Sequence, residues 1–337
     1  MIKKLSVLMA AWQLAGIAHA QSSVTLTGVV DGGIRYTRTG LGDQFSMNSN
    51  GLFTSNRLDF IGKEDLGGGY DAHFRLESGF NLGNGAYDNA NGVVFNRGAY
   101  VGIGGWFGSV DFGRQYTIAH DVVYDYDPFM FAYPGIIPLT PATDGTRFNN
   151  DAKYTGEFGP LRVRVENSFG GMAGDFNAGS ARGAGAQYSW GPVNIGGAYI
   201  YRTVLTGMTY QPDNYYVVGA ALTFGALRLA GGYMNENRDS APPAPDARTL
   251  NYWGGLTYQV NPFISLGAAY YITDLPNTSG KRSQGLASIA YSLSKSTRLY
   301  AEFDYTKFSG TYVTNKTLNA TGQPHQLAFS VGINHGF

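Results

Sequence analysis

The side chains that could do chemistry in this 337-residue chain are arginines and carboxylates set at every second position, and what they offer is an electrostatic field. Asp71, His73, Arg75 and Glu77 alternate with Tyr70, Ala72, Phe74 and Leu76, so an extended backbone carries four ionisable groups on one side. Arg57 is out of phase with Leu58 and Phe60, Arg97 with Tyr100, and Arg147 with Phe148 and Tyr154, which turns all three toward the polar side as well. Carboxylates gather in one long segment, 116–146, as Asp121, Asp125, Asp127 and Asp144. Charges ranked along a wall sort ions by sign, and this is the chemistry of a pore rather than of a bond-making site.

Covalent chemistry has no foothold. There is no Gly-x-Ser-x-Gly elbow, no His-Glu-x-x-His pair and no phosphate-binding Gly-Lys-Ser/Thr loop. Gly102-Ile103-Gly104 falls inside an alternating stretch with no helix after it, which argues against a dinucleotide site. His73, His120, His325 and His335 are scattered without metal-ligand spacing, and Asp125-Tyr126-Asp127 begins like a calcium loop but lacks its Gly and closing Glu. No enzyme activity, catalytic residue, metal or cofactor is expected. The 24 basic residues balance 24 acidic ones, leaving no footprint for nucleic acid.

Elements that could hold such side chains must be strands. From Gln326 to Phe337 the odd positions are Leu327, Phe329, Val331, Ile333, His335 and Phe337, while the even ones are polar or small. The same alternation recurs in sixteen stretches, which open with 22–36, 53–64, 69–82, 93–104, 109–115 and 147–155 and close with 325–337. Links between them alternate strictly, tight turns rich in Gly, Pro, Asn and Ser and then long loops, so turns and loops lie at opposite ends. That asymmetry is typical of transmembrane barrels, and a closed barrel leaves no unpaired edge in lipid. The expected fold is therefore all-β, a 16-stranded antiparallel transmembrane β-barrel, its outer face apolar and its inner face wet.

The N-terminus fits an exported protein. Lys3 and Lys4 precede an apolar run and Ala18-His19-Ala20 reads as a cleavage site, so residues 1–20 are expected to be a signal peptide and 21–337 a single barrel domain. No other stretch is apolar for long enough to cross as a helix. Cysteine is absent, while 48 Gly, 24 Tyr and 20 Phe with only 14% charged residues suit strands that meet a lipid interface. Without the two lysines the charge is 22 basic against 24 acidic, net −2, which is compatible with either ion preference.

Several motifs, in order from Leu26 to Phe337, resemble the general diffusion porins of Gram-negative outer membranes, in the branch common among β-proteobacteria. They are Leu26-Thr-Gly-Val-Val-Asp31, Asn56-Arg-Leu-Asp-Phe-Ile-Gly-Lys-Glu-Asp-Leu-Gly-Gly-Gly69, Leu76-Glu-Ser-Gly-Phe80, Asn96-Arg-Gly-Ala-Tyr-Val-Gly102, Phe107-Gly-Ser-Val-Asp-Phe-Gly-Arg-Gln-Tyr116, Arg147-Phe-Asn-Asn-Asp-Ala-Lys-Tyr154 and Gly332-Ile-Asn-His-Gly-Phe337. The resemblance implies an outer-membrane homotrimer, exported through the periplasm and set in lipid and lipopolysaccharide, whose pores pass ions and small hydrophilic solutes passively. It implies too that the third loop, here 116–146, folds into the lumen and narrows it. By motif, Arg57, Arg97 and Arg147 match the family's basic wall, with Arg75 beside them. Asp125 and Asp127, then Asp121 and Asp144, would be the facing acids, although Pro128-Phe-Met-Phe-Ala-Tyr-Pro-Gly135 replaces the family's usual loop motif.

Arg114 is in phase with Val110 and Phe112, so simple alternation sends it into lipid, where an arginine near the midplane costs about 2–4 kcal/mol. A bulge or a trimer contact would relieve it, and the resemblance favours the contact. Phe337 is an outward aromatic that the resemblance makes the signal read by the barrel-assembly machinery. Phe129, Met130, Phe131, Tyr133, Ile136 and Ile137 make the third loop unusually apolar. They anchor it to the wall or, in the alternative reading of a substrate-selective pore, form an aromatic track for solutes such as oligosaccharides.

Overall fold

Alternating side chains can satisfy two solvents only if the sheet closes, and the computed structural model, which describes residues 22–47, 51–89, 91–133 and 147–337, is a closed barrel. Its first half contains β1 (Ser22–Thr39), β2 (Gly42–Ser46), β3 (Arg57–Gly67), β4 (Tyr70–Gly79), β5 (Gly98–Gly105), β6 (Gly108–Tyr116), β7 (Arg147–Phe158) and β8 (Leu161–Ser168). The second half contains β9 (Ala181–Trp190), β10 (Val193–Thr206), β11 (Thr209–Phe224), β12 (Leu227–Arg238), β13 (Ala247–Gln259), β14 (Ile264–Leu275), β15 (Gly280–Ser292), β16 (Thr297–Ser309) and β17 (His325–Gly336). Every pairing is antiparallel, and β17 closes on β1 from Val29↔Gly336 to Thr39↔Gln326. Mutual hydrogen bonds between Gly28 and Phe337, 3.0 and 3.1 Å, extend the seam to the last residue.

These seventeen strands make sixteen staves. β1 pairs with β2 along Arg35–Thr39 and with β3 along Ser22–Val29, so β2 and β3 share one position in the wall. This corrects the expected second strand, 53–64. Residues 51–56 instead turn inward, because the fully buried Asp31 carboxylate needs donors and takes the amides of Leu52 (2.6 Å) and Phe53 (3.2 Å), the Tyr300 hydroxyl (2.8 Å) and Asn334 (3.0 Å). The expected strand 93–104 likewise begins only at Gly98. Residues 1–21, including the expected signal peptide, lie outside the described residues.

Burial runs opposite to that of a soluble sandwich. On β17, Phe329, Val331 and Ile333 are 44%, 42% and 47% exposed, whereas the intervening Ser330 is 0% and Asn334 5% exposed. Leu26, Val101, Phe112, Val165, Val218 and Tyr270 repeat the outward apolar pattern. Trp106 and Trp190 crown the tight-turn end, fully in keeping with an interfacial aromatic belt.

Among the described residues, much of the apolar packing on the inner face gathers around residues 118–133, joined by Leu52 and Phe53. A helix, α1 (Ile118–Tyr126), carries Ile118, Val122, Val123 and Tyr126 at 0% exposure and lies against β8–β12. Wall glycines make room for it. A Cβ on Gly219 would sit 2.4 Å from the Tyr126 ring, and one on Gly185 would sit 2.6 Å from Ile118 Cγ2.

Candidate functional site

The wall arginines converge on one carboxylate. Glu77 on β4 is only 1% exposed, and Arg97 reaches it at 3.0 Å, Arg75 at 3.3 Å and Arg57 at 3.6 Å. Neighbouring acids tie down two of the three further, Arg75 through Asp59 at 2.6 Å and Arg97 through Asp88 at 3.6 Å. Tyr116 links the next arginine into the group. Its hydroxyl accepts from Arg97 (3.2 Å) and Arg147 (2.7 Å), and the Arg147 guanidinium lies 4.3 Å from its ring centroid. Glu77 is the carboxylate all three guanidiniums share, and with Asp59 and Asp88 behind them it holds each side chain in place, leaving Arg147 to bond the Tyr116 hydroxyl rather than an acid of this group.

Loop residues 117–133 face this wall. Thr117 caps α1 by accepting from the His120 amide (3.1 Å), and Glu166 of the wall accepts from the Ile118 amide (3.1 and 3.2 Å). His120 stacks on Tyr116, ring centroids 3.8 Å apart, and burial lowers its pKa, so it is neutral at pH 7. Asp121 is partly buried, which works against its charge, but Lys153, His120 and Arg164 outweigh that and hold its carboxyl well below the usual range. Asp125 accepts from Gln187 (2.6 Å) and lies 3.9 Å from Arg162.

Between wall and loop lies a cavity of about 780 Å³. Arg57, Arg75, Arg97 and Arg147 line it, as the alternation expects, and so do Asp121 and Asp125. Asp127 does not. It is 0% exposed beneath the loop, where it accepts from the amides of Phe129 (3.0 Å) and Phe131 (2.9 Å) and from the Tyr271 hydroxyl (2.8 Å), and burial raises its pKa. Asp144, Ile136 and Ile137 lie outside the described residues.

Arg162, Arg164 and Arg298 complete the cationic lining, and none was singled out from sequence. Alternation places each on an inward face, so period two was the signal available; they belong to no motif. Seven arginines and three carboxylates, Glu77, Asp121 and Asp125, thus line the cavity, while Asp59, Asp88 and Glu157 pair with Arg75, Arg97 and Arg162 from behind the lining at 2.6, 3.6 and 2.7 Å. A second inward segment also contributes. Phe53 accepts through its carbonyl from the Tyr133 amide (2.9 Å), stacks edge-on against Tyr133, and carries Arg298 5.0 Å from its ring centroid.

Arg114 sits at a bulge between Gly113 and Gln115, near the long-loop end. Its guanidinium donates to the Asn96 carbonyl and to Asn149 Oδ1, both at 2.6 Å, so the lipid-midplane cost expected from simple alternation does not arise. Among the described residues no cluster of three or more His, Asp or Glu is arranged to hold a metal ion.

Comparison with known proteins agrees with this architecture. The family model described as Gram-negative porin matches residues 5–311. Outer membrane porin protein 32 of Delftia acidovorans is 28% identical, covering 99% of this chain and 96% of its own length. An outer membrane porin protein of Bordetella pertussis is also 28% identical, over 96% of both chains. Among solved structures, the anion-selective porin from Comamonas acidovorans superposes with a TM-score of 0.81 at 24% identity, covering 94% of this chain and 100% of its own. The trimer form of OmpT of Vibrio cholerae gives 0.70 at 15% identity, covering 94% and 99%.

Proposed function

The chain belongs to the Gram-negative porin family, a passive diffusion channel of the outer membrane, and from that premise we propose that its pore prefers anions. One observation carries the reading: seven arginines against three carboxylates around a single luminal cavity. Because those side chains line the passage itself, that local excess decides which ion enters, more than the neutral total charge does. Arg57, Arg75, Arg97 and Arg147 form the basic wall of the constriction, and Asp121 and Asp125 are its acidic face. Asp127 serves as the anchor beneath the loop. The anion-selective Comamonas porin shares this fold, which supports the same reading.

The working unit in this proposal is a homotrimer in lipid and lipopolysaccharide, with Arg114 on a protomer contact; a relative of the same fold is known in a trimer form. Residues 1–20 are removed on export, and Phe337 is read by the barrel-assembly machinery. The protein catalyses no reaction.

Planar-bilayer recording tests the proposal. Reconstituted protein gives ohmic steps in threes, and a KCl gradient gives a zero-current potential of the sign set by chloride. Replacing Arg57, Arg97 and Arg147 together with Gln moves that potential toward potassium. A wild-type potential set by potassium, or no shift in the triple variant, overturns the assignment.

A further inference from the structure

The anion-preferring reading accounts for the arginines but not for the apolar turn that faces them. After α1 the chain passes through Met130, Phe131 and Tyr133 with φ of 51°, 62° and 68°, left-handed conformations in three bulky residues within four positions. Each is unfavourable in an L-residue with a side chain, and Gly or Asn would relieve it. The fold instead holds the turn in place. Asp127 binds the amides on both sides of Met130, and Arg228 donates to the carbonyls of Asp125 (2.6 Å), Asp127 (3.0 Å) and Pro128 (3.2 Å).

Strain held this firmly has a product. Phe129 and Tyr133 are buried, whereas Met130 stays 45% exposed and Tyr124, six positions back, 41% exposed on the cavity lining. Phe131 lies between them, edge-on to Tyr124 at 5.6 Å. An ion-only pore gains nothing from a thioether and two rings at its narrowest part, since apolar lining there favours dewetting. The shelf is soft, polarisable and aromatic, suited to the face of a planar ring.

Charge complementarity fixes the other end of the ligand. Arg298 lines the same cavity, backed by the Phe53 ring, and among the described residues no carboxylate lies within ion-pair distance of it. We propose that the shelf of Tyr124, Met130 and Phe131, together with Arg298, forms a binding site for small aromatic carboxylates, anions of the benzoate class. The ring rests on the shelf and the carboxylate is taken by the guanidinium fork, so the solute dwells in the pore where chloride passes through. The site rests on the anion-preferring reading of the pore.

Single-channel recording with sodium benzoate, sodium acetate and benzyl alcohol, added at equal ionic strength, tests it. Benzoate reduces the mean current in a saturating manner at concentrations where acetate and benzyl alcohol leave it unchanged. Met130→Ser and Arg298→Gln each raise the half-blocking benzoate concentration about tenfold, the equivalent of roughly 1.4 kcal/mol. Met130 is on the surface of the lumen, so the serine variant keeps the barrel, and its ohmic steps verify that in the same trace. Equal block by acetate, equal block by benzyl alcohol, or an unchanged half-blocking concentration in Met130→Ser overturns the site. A zero-current potential without anion preference overturns the pore reading instead, and the two failures are thereby separated.

Discussion

Glu77 does more than neutralise its neighbours. Its 1% exposed carboxylate stands within 3.0–3.6 Å of Arg97, Arg75 and Arg57, and without it three guanidiniums would repel one another across the wall. Breaking a buried ion pair by removing one partner costs about 3–5 kcal/mol, and since Arg57 and Arg75 remain partly solvated the lower end applies here. Glu77→Gln should therefore lower the temperature at which the barrel unfolds in detergent, read from heat-dependent gel mobility, while the surviving pores show a stronger anion preference. The two readouts move in opposite directions for one reason, the loss of a negative charge from the cluster. A variant as stable as the parent, with unchanged selectivity, would show that Glu77 is a bystander.

Loop docking is decided between elements rather than at a single side chain. Gly219 of β11 and Gly185 of β9 leave hollows that the Tyr126 ring and Ile118 fill, so the wall is shaped for α1 at two separate staves. Gly219→Val puts a branched side chain within 2.4 Å of the Tyr126 ring and cannot be accommodated with the helix in place. The expected outcome is a pore with larger unit conductance in bilayers, since Asp121, Asp125 and the shelf move away from the arginines together. Unaltered conductance would mean that the loop does not narrow the passage. The strands that make this wall were readable because alternation over ten residues survives scattered glycines. α1 was not, although Ile118, Val122 and Tyr126 follow four-residue spacing behind Thr117, because nine residues give too short a helix to stand on its own periodicity. The interrupted second stave was equally hidden: residues 51–56 turn inward to satisfy Asp31, and a carboxylate's need for donors from 21 and 269 positions away leaves no local trace. Among site residues, Arg57, Arg97 and Arg147 were legible from motif and phase together, whereas Arg298 had phase alone and Asp127 differs from Asp125 only in which side of the turn it faces.

At the scale of the whole molecule the charges cancel, 24 against 24, yet the lining of one luminal cavity carries seven arginines against three carboxylates. Selectivity that arises from such a local field must weaken with salt, because the screening length falls from about 10 Å at 0.1 M to about 3 Å at 1 M, shorter than the span of the cavity. For a fixed tenfold KCl gradient, the zero-current potential should thus be large when both sides are dilute and should shrink when both are concentrated. Replacing Arg57, Arg97 and Arg147 with Gln should flatten this dependence as well as reduce the potential, since fewer charges remain to be screened. Selectivity that stays constant from dilute to concentrated salt would point to discrimination by direct contact at close range, which screening does not reach, and would remove the arginine excess as its cause.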